Sequence, residues 1–337
     1  MSIPITAIKW ENEKVVVLDQ TLLPTTETYL EIDCVEALIQ AISGLVVRGA
    51  PALGVAGAFG VVIAMDQRVR ENWSESEFQE NLHKLRNARP TAVNLAWAVD
   101  AISKLVALGR PTVLEAALTI AREDKESNTA MGIIGANWLI TNVGERPMTL
   151  LTHCNAGSLA STGSGTALGV IRELHSRGLV TEVYADETRP LLQGSRLTAW
   201  ELMKSEIPYR IQPDSAASMS ILNGSIDAAI IGADRISRNG DTANKIGSLS
   251  VALACHVAQI PLLVVAPEST IDRNMDTGES IHIEIRADHE ITHLKGVQIA
   301  PTGAKTFNPA FDVTPAKYIS AVITELKAYE ISKGETL

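Results

Sequence analysis

The second half of this chain is constrained most by an alternation of short apolar runs with segments of helical spacing. From Pro147 onward, each run is rich in aliphatic residues and all but the last are followed by a helical pattern. Strands that alternate with helices in this way indicate an α/β domain built on a parallel sheet, with helices on both faces. The runs and the segments that follow them are MTLLTHC with 164–177, VTEVYAD with 195–205, IPYRIQP with 215–223, IDAAIIGAD with 246–258, and the final run IPLLVVAP.

The first half of the chain follows a different pattern. Up to about Asn142, apolar residues recur at helical spacing, as at positions 35, 38, 39 and 42. Two extended segments, Ile3–Ile8 and Lys14–Leu18, precede the helices. We therefore expect a mainly helical N-terminal domain with a small β start over residues 1–142, and an α/β domain over residues 143–337.

Composition and charge argue against several classes of protein. The net charge of −10 and the lack of a dense basic run disfavour nucleic-acid binding, which uses clustered Lys and Arg. Cys34, Cys154 and Cys255 show no CxxC spacing, which predicts reduced thiols in a cytoplasmic protein and no zinc ribbon. The N-terminus lacks the basic start and apolar core of a signal peptide. Gly49–Met65 is uncharged but short for a bilayer crossing and carries Pro51, so we expect a buried helix and no membrane association.

Polar and reactive side chains stand where the predicted strands end. His153, Cys154 and Asn155 follow the first strand, Asp186 ends the second, and Asp234 follows the fourth. Ligands of parallel α/β sheets bind in the crevice outside the carboxyl ends of the strands. The sequence therefore predicts a ligand site at this edge, with Cys154 and Asp234 as candidates for its chemistry.

Each of these two candidates has a plainer interpretation. A free cysteine is most often a small buried hydrophobe, although a place at the end of a strand favours a chemical role for Cys154. Asp234 follows the apolar residues Ile-Ile-Gly-Ala, where burial would raise the pKa of its carboxyl group and suit it to donate a proton near neutral pH. The alternative for Asp234 is a helix cap or an ion pair with Arg235.

A glycine-rich segment, Gly157–Gly169, lies between the first strand and its helix. Its main-chain amides and the helix N-terminus could hold a phosphate, or its glycines could simply allow close packing. It contains neither GxGxxG nor the GK[ST] of a P-loop. Asp186 lies beyond Gly163 at roughly the 20-residue distance of the ribose-binding acid in dinucleotide folds, but the glycine spacing disfavours a nicotinamide-dependent oxidoreductase.

Two arginine-containing segments of the helical half, RGAP from Arg48 and RPTAVN from Arg89, suggest anion binding. An arginine beside a glycine and a proline at the start of an uncharged helix can combine its guanidinium with free main-chain amides around a phosphate. A solvated arginine at a helix end is the alternative. Asn244 and Lys245 open the helix predicted next, where a lysine is electrostatically unfavourable unless an anion is bound.

Together these segments resemble the methylthioribose-1-phosphate isomerase family, which is related to the regulatory subunits of translation initiation factor 2B. The resemblance extends from about Val47 to Thr324, and six motifs in this order are highly specific for the superfamily. The motifs are RGAPALG (48–54), RPTAVNL (89–95), LTHCNAGSLASTGSGTALGVI (151–171), ADETRPLLQGSRLTAWEL (185–202), GADRISRNGDTANKIG (232–247) and FNPAFDVTP (307–315).

The resemblance implies a Rossmann-like C-terminal domain, a homodimer, and an aldose–ketose isomerase that uses neither cofactor nor metal. It implies that Asp234 is the catalytic proton donor and that Cys154 assists the transition state. The positions that it assigns to binding of the sugar phosphate are Arg48, Gly49, Ala50, Arg89, Gln193, Asn244 and Lys245.

The expected reaction converts 5-methylthioribose 1-phosphate into 5-methylthioribulose 1-phosphate, a step of methionine salvage. Three departures from the family pattern leave the 5-substituent of the sugar open. They are Glu268 in place of an aliphatic residue, IHIEIRAD at 281–288, and DSAA at 214–217, which lacks the methionine often found near there. Related enzymes act on 5-deoxyribose 1-phosphate or ribose 1,5-bisphosphate. A non-catalytic regulator is a further alternative, but the presence of Cys154, Asp234 and the full phosphate-contact set favours an enzyme.

Overall fold

The structure is a computed structural model that describes residues 5–89 and 93–337. The chain forms two compact units. The first runs through Asn128 and also takes in the short segment Ala156–Gly165, and the second comprises Thr129–Asn155 and Thr166–Leu337. Because the units divide the chain at residue 128, within a helix, a domain boundary between residues 142 and 143 stays a prediction.

The first unit contains a small antiparallel sheet and a set of helices. Its strands are β1 (Ile8–Glu11), β2 (Lys14–Leu18) and β3 (Tyr29–Ile32), and the helices are α1 (Val35–Ser43), α2 (Ala50–Glu71), α3 (Glu75–Arg86), α4 (Val93–Ser103) and α5 (Arg110–Val143), of which α5 continues into the second unit. A turn at Asn12 and Glu13, both with positive φ, joins β1 to β2. The two strands therefore form a hairpin, and β1 ends directly before the turn. Of the extended segment expected at Ile3–Ile8, residues 3 and 4 lie outside the described residues and only Ile8 belongs to a strand, whereas the strand expected at Lys14–Leu18 is confirmed.

Helix α2 is buried around its whole circumference. Every residue from Ala52 to Ala64 is buried, and the glycines in this stretch allow close packing, since a Cβ at Gly60 would lie 2.5 Å from a methyl group of Leu85. Among the helices in the described ranges, α2 is the one long and apolar enough to cross a membrane, yet 78% of its most apolar window is buried inside the protein. The expectation of a buried helix over Gly49–Met65 is thus confirmed.

The second unit is built on a seven-stranded sheet of order β16-β15-β10-β7-β4-β5-β6, parallel except for β16. These strands are β4 (Met148–Thr152), β5 (Val180–Asp186), β6 (Tyr209–Gln212), β7 (Ala228–Ile231), β10 (Leu262–Val265), β15 (Ala321–Ile323) and β16 (Ala328–Tyr329). The helices between them are α6 (Ala167–Ser176), α7 (Ala199–Lys204), α8 (Ala217–Leu222) and α9 (Ser248–Ala258). The strand order reverses between β4 and β7, as in doubly wound folds, so the predicted α/β class and Rossmann-like sheet are confirmed.

Further strands lie outside this main sheet. A second sheet has the order β11-β8-β9-β14, formed by β8 (Arg235–Ser237), β9 (Thr242–Lys245), β11 (Ile271–Asp272) and β14 (Phe311–Thr314). A short hairpin joins β12 (His293–Leu294) to β13 (Val297–Gln298) after the short helix α10 (His289–Thr292). The sequence patterns did not predict these elements, because β9 pairs with a strand far along the chain and local periodicity carries no sign of such pairing.

Candidate active site

The switch point of the main sheet lies at the carboxyl ends of β4 and β7, and both predicted catalytic residues follow these strands. Cys154 is the second residue after β4, and Asp234 is the third after β7. In doubly wound sheets the ligand crevice opens where the strand order reverses. The topology therefore places Cys154 and Asp234 at the edge where this fold binds its ligands.

Cys154 is buried and held in a left-handed backbone conformation, with φ of 66°. Its main-chain N–H donates to the hydroxyl of Thr188 at 2.9 Å, and its carbonyl accepts from the hydroxyl of Thr198 at 2.5 Å. Both threonines are buried. A non-glycine residue in this conformation costs about 1–3 kcal/mol, and such strain persists where the surroundings hold it, typically at functional sites. The two hydroxyls therefore hold the backbone that carries the thiol.

Gln193 directly precedes a turn of π-helix, Gly194–Thr198, and is only 5% exposed. A Cβ at Gly194 would lie 1.6 Å from the carbonyl oxygen of Asp186, so only glycine lets this turn rest on the end of β5. Within the described part of the chain, the side-chain oxygen Oε1 of Gln193 has no hydrogen-bond partner. A buried acceptor of this kind is costly unless a ligand hydroxyl or water donates to it. Gln193 is therefore suited to receive a hydroxyl of a bound sugar.

Asp234 is exposed, so the desolvation expected from its apolar neighbours in sequence is wrong. The strand before it ends at Ile231, and its main-chain N–H donates to the carbonyl of Ala243 at 2.9 Å. This bond places Asp234 beside β9, whose last two residues are Asn244 and Lys245. The structure thus brings three predicted site residues together, with the carboxyl group of Asp234 open to solvent.

Asn244 and Lys245 end strand β9 and do not open helix α9, which begins only at Ser248. The amide of buried Asn244 donates to the hydroxyl of Ser248 at 2.8 Å. Lys245 donates from Nζ to the carbonyl of Ala310 at 2.8 Å and lies 4.5 Å from the ring centroid of Phe311.

The start of α9 is capped by a carboxylate from β14. Asp312 accepts from the N–H of Gly247 at 2.7 Å and from that of Leu249 at 3.1 Å. Burial raises the pKa of Asp312, although these N–H groups act in the opposite direction. A helix N-terminus favours negative charge, which Asp312 already supplies, so an anion is not needed to explain Lys245.

In the first unit, the predicted RGAP segment forms the entry to α2. Gly49 is its N-cap, with φ of 94°, and Ala50 is its first residue. A Cβ at Gly49 would lie 2.5 Å from Ala160, so this glycine lets the entry to α2 lie against the turn Ser158–Ala160 of the glycine-rich segment. Arg48 is half-buried just before the helix. The arginine segment and part of the glycine-rich segment are thus brought together.

Arg89 follows the end of α3 and is half-buried. The next residues of its motif, positions 90–92, lie outside the described residues, and the motif resumes at Val93 with helix α4.

The glycine-rich segment is held by side chains of α5. Thr162 donates from its main-chain nitrogen and its hydroxyl to Asp124, at 2.7 and 2.6 Å, and the N–H of Gly165 donates to Asn128 at 2.7 Å. The N–H of Gly163 donates to the hydroxyl of Ser161. Burial raises the pKa of Asp124, against the hydrogen bonds from Thr162. Since these three amides already have acceptors, phosphate binding by the segment would have to use other groups, and it stays a prediction.

Sequence reasoning did not pair His153 with any residue, yet it forms a buried pair with Asp186, Nδ1 to Oδ2 at 2.9 Å. Both side chains are 1% exposed. The sequence does not give this pair, because it depends on the register in which Thr152 pairs with Ala185, which sets the next residue of each strand at the same height. Burial alone would lower the pKa of His153, but Asp186 and the carbonyl of Ile246 outweigh it and raise that pKa.

His153, Asp186 and Asp214 form a group of potential metal ligands, with ligand atoms within 4.8 Å of one another. The two oxygens of Asp214 accept from the N–H groups of Thr188 and Arg189, both at 2.7 Å. Asp186 also accepts from Gln212 at 2.8 Å. All three side chains therefore take part in internal hydrogen bonds. Asp186 in particular is not placed to bind a ribose, as the oxidoreductase interpretation required.

Comparisons with known proteins agree with this architecture. The model of the Initiation factor 2 subunit family matches residues 46–330. Methylthioribose-1-phosphate isomerase from Geotalea uraniireducens is 46% identical over 94% of this chain and 93% of its own length, and the enzyme of that name from Acetivibrio thermocellus is 47% identical over 94% of both chains.

Two solved structures are similar over nearly the whole chain. The 5-methylthioribose 1-phosphate isomerase from Pyrococcus horikoshii OT3 has a TM-score of 0.88 and 38% identity, covering 97% of this chain and 93% of that one. A structure described as translation initiation factor eIF-2B, subunit delta, from A. fulgidus has a TM-score of 0.85 and 39% identity, covering 97% and 96%. The chain therefore belongs to the Initiation factor 2 subunit family and, within it, to the methylthioribose-1-phosphate isomerases.

Proposed function

We propose that this protein converts 5-methylthioribose 1-phosphate into 5-methylthioribulose 1-phosphate. The observation that carries the proposal is Cys154, which two buried threonines hold in a strained conformation at the switch point of the sheet. Sequence identity of 46–47% over 94% of this chain to methylthioribose-1-phosphate isomerases supports the same conclusion. Backbone strain of this kind clusters at functional sites.

The chemistry of the substrate explains the groups that we assign to the reaction. The phosphate on C1 locks the sugar as a cyclic acetal, so the usual route through an open aldehyde is closed. From the family pattern, we assign to Asp234 the protonation of the ring oxygen as the bond between C1 and that oxygen breaks. A hydrogen then moves from C2 to C1, and C2 becomes the ketone as the hydroxyl on C2 gives its proton to solvent, from which Asp234 regains one. Cys154 stabilises this transition state.

We assign substrate binding to the residues that the family pattern marks for it. Arg48 supplies a charge-assisted hydrogen bond to the phosphate, and the main chain at Gly49 and Ala50 supplies N–H donors at the start of α2. Gln193 accepts from a sugar hydroxyl through its unpartnered Oε1. The remaining residues of this set, assigned from the family pattern, are Arg89, Asn244 and Lys245.

The further properties that we propose follow the family pattern. The protein acts as a cytoplasmic homodimer and needs neither a cofactor nor a metal ion. The alternative enzymes are isomerases that act on 5-deoxyribose 1-phosphate or on ribose 1,5-bisphosphate. A regulatory role without catalysis is the alternative of another class, favoured by the similarity to the A. fulgidus structure described as an initiation factor subunit.

The decisive experiment incubates the purified protein with methylthioribose 1-phosphate and follows the ketose by NMR. We expect turnover without NAD, and the same rate after treatment with EDTA. Cys154→Ala in the same preparation serves as the matched control for contaminating isomerases. Absence of turnover by the wild-type protein would favour the regulator, and activity restored to an EDTA-inactivated sample by a divalent ion would overturn the metal-free proposal.

A further inference from the structure

His153 uses both nitrogens of its ring in buried contacts. Nδ1 lies 2.9 Å from Oδ2 of Asp186, and Nε2 lies 2.9 Å from the main-chain oxygen of Ile246. A carbonyl oxygen can only accept, so Nε2 carries a proton and donates it to Ile246. Asp186 in turn accepts from Gln212 on β6, which gives a buried row across the carboxyl ends of β4, β5 and β6.

The segment that receives this hydrogen bond rests directly on the imidazole ring. Gly247 has φ of 110°, and a Cβ there would lie 2.7 Å from Cε1 and 2.9 Å from Nε2 of His153. The absence of a side chain at Gly247 therefore allows the ring and the main chain to touch. Asn244 and Lys245 come immediately before this segment.

Other ties hold the same segment to β14. Asp312 accepts from Gly247, and Lys245 donates to the carbonyl of Ala310. His153 is the tie that joins it to β4, next to Cys154. Since desolvation offsets most of the attraction in a buried ionic pair, the net stability from His153 and Asp186 is small, and the fixed geometry is the larger consequence.

We propose that His153 is a positioning residue that sets the place of segment 244–247 relative to the end of β4, and thereby places Asn244 and Lys245 for the phosphate of the substrate. The proposal rests on the substrate contacts proposed above. It gives His153 no contact with the reacting atoms. Its effect should appear in KM and depend on the Nε2 hydrogen bond to Ile246 more than on the Nδ1 bond to Asp186.

Two substitutions separate the two hydrogen bonds of the ring. His153→Gln can keep an N–H near the place of Nε2 and lose the partner of Asp186, whereas His153→Asn can keep the partner of Asp186 and lose the donor to Ile246. Both remove the ring, and Asn leaves one methylene group less than Gln, a difference in packing that thermal melts report. We expect His153→Asn to raise KM for methylthioribose 1-phosphate about tenfold, the scale of one lost hydrogen bond, and His153→Gln to raise it by less than about threefold.

Thermal melts of both variants accompany the kinetics, with Ser220→Ala as a control. Ser220 donates to Gln212 at 3.1 Å, at the far end of the buried row, so this control should lower Tm and leave KM unchanged. Equal KM values for His153→Gln and His153→Asn would overturn the proposal.

Should His153→Asn fail to fold, Gly247→Ala replaces it, because the added Cβ pushes the segment off the intact ring. A KM raised about tenfold would support positioning, on the scale of one lost hydrogen bond, and an unchanged KM would overturn it. An inactive wild-type protein would instead refute the proposed function.

Discussion

The residues proposed for the reaction and those of the arginine and glycine-rich segments have different structural surroundings. In the second unit, Cys154 and Asp234 follow strands of one sheet at its switch point, and two threonines lock the backbone of Cys154. In the first unit, Arg48 precedes a helix, and the glycine-rich segment depends on side chains of α5 for its shape. We therefore expect the residues at the sheet edge and those at the helix entry to affect the kinetics differently. Substitutions at the former should lower kcat, and those at the latter should raise KM.

The largest effect is expected from Asp234→Asn, because an amide cannot deliver the proton to the ring oxygen. General acids contribute up to about 10⁴-fold, and we expect kcat to fall by about that factor. Steady-state kinetics on the purified variant measure it. Asp276→Asn is the matched control, since Asp276 is an exposed carboxylate paired with Arg238. A variant of Asp234 that kept a tenth of the wild-type kcat would remove it from the role of proton donor.

Cys154→Ser should lower kcat by about 10²-fold or more while leaving KM nearly unchanged, because a smaller, less polarisable hydroxyl cannot replace the thiol at the transition state. The control is Cys255→Ser on α9, a buried thiol whose pKa is raised to about 12 by burial. That variant should lose stability but keep its kcat. Similar losses of kcat in both variants would mean that Cys154 is only a core residue.

Arg48→Ala tests the first unit. Loss of a charge-assisted hydrogen bond of about 1.5–3 kcal/mol should raise KM by one to two orders of magnitude, with a smaller change in kcat. Arg70→Ala, in the last turn of the same helix, is the control for general effects on α2. If Arg48→Ala changes neither constant, Arg48 is a helix-end residue without a role in binding. If it lowers kcat alone, the assignment of Arg48 to phosphate binding is wrong.

How much of this could be predicted from the sequence differs between the two parts. Periodicity and strand ends were sufficient to place Cys154, Asp186 and Asp234 at one edge of a sheet, because parallel topology determines where strand ends meet. The exposure of Asp234 could not be predicted, since it depends on β8 and β9, which pair with each other and with a distant strand.

The first unit gave weaker signals. A helix entry such as Arg48–Ala50 has many uses, so its role came from resemblance to a family and not from spacing. The glycines from 157 to 165 suggested free amides, but Asp124 and Asn128 on α5 engage some of them. Such long-range hydrogen bonds leave no local pattern in a sequence. The pair of His153 and Asp186 could not be predicted for a different reason, because it joins two strands whose register the sequence does not give.

A smaller effect is expected for the 5-substituent of the sugar. The assigned residues supply cations for one phosphate, so ribose 1,5-bisphosphate should have the lowest kcat/KM of the three sugars. Methylthio and deoxy sugars should differ little, because one apolar group is worth only about 1–3 kcal/mol. Measurement of kcat/KM for all three with one preparation decides the order. A preference for the bisphosphate would assign this chain to a different isomerase.

The last prediction concerns how hydrogen reaches C1, and we expect C1 to take up no deuterium from the solvent. If Asp234 donates to the ring oxygen, a path through a phosphoenolate needs another group to abstract the proton from C2. Cys154 is the candidate among the assigned residues, but a thiol must first lose its own proton before it can act as a base.

A direct hydride shift from C2 to the oxocarbenium carbon needs no such base, with Cys154 shaping the transition state. Turnover of unlabelled substrate in D₂O should therefore leave C1 of the ketose free of deuterium, as measured by NMR and mass spectrometry. The control is the finished ketose held in D₂O without enzyme, which reports exchange after the reaction. Substantial deuterium at C1, above that control, would establish proton abstraction by a group that exchanges with solvent. It would make Cys154 the base, and the sheet edge would then supply both the acid and the base of the reaction.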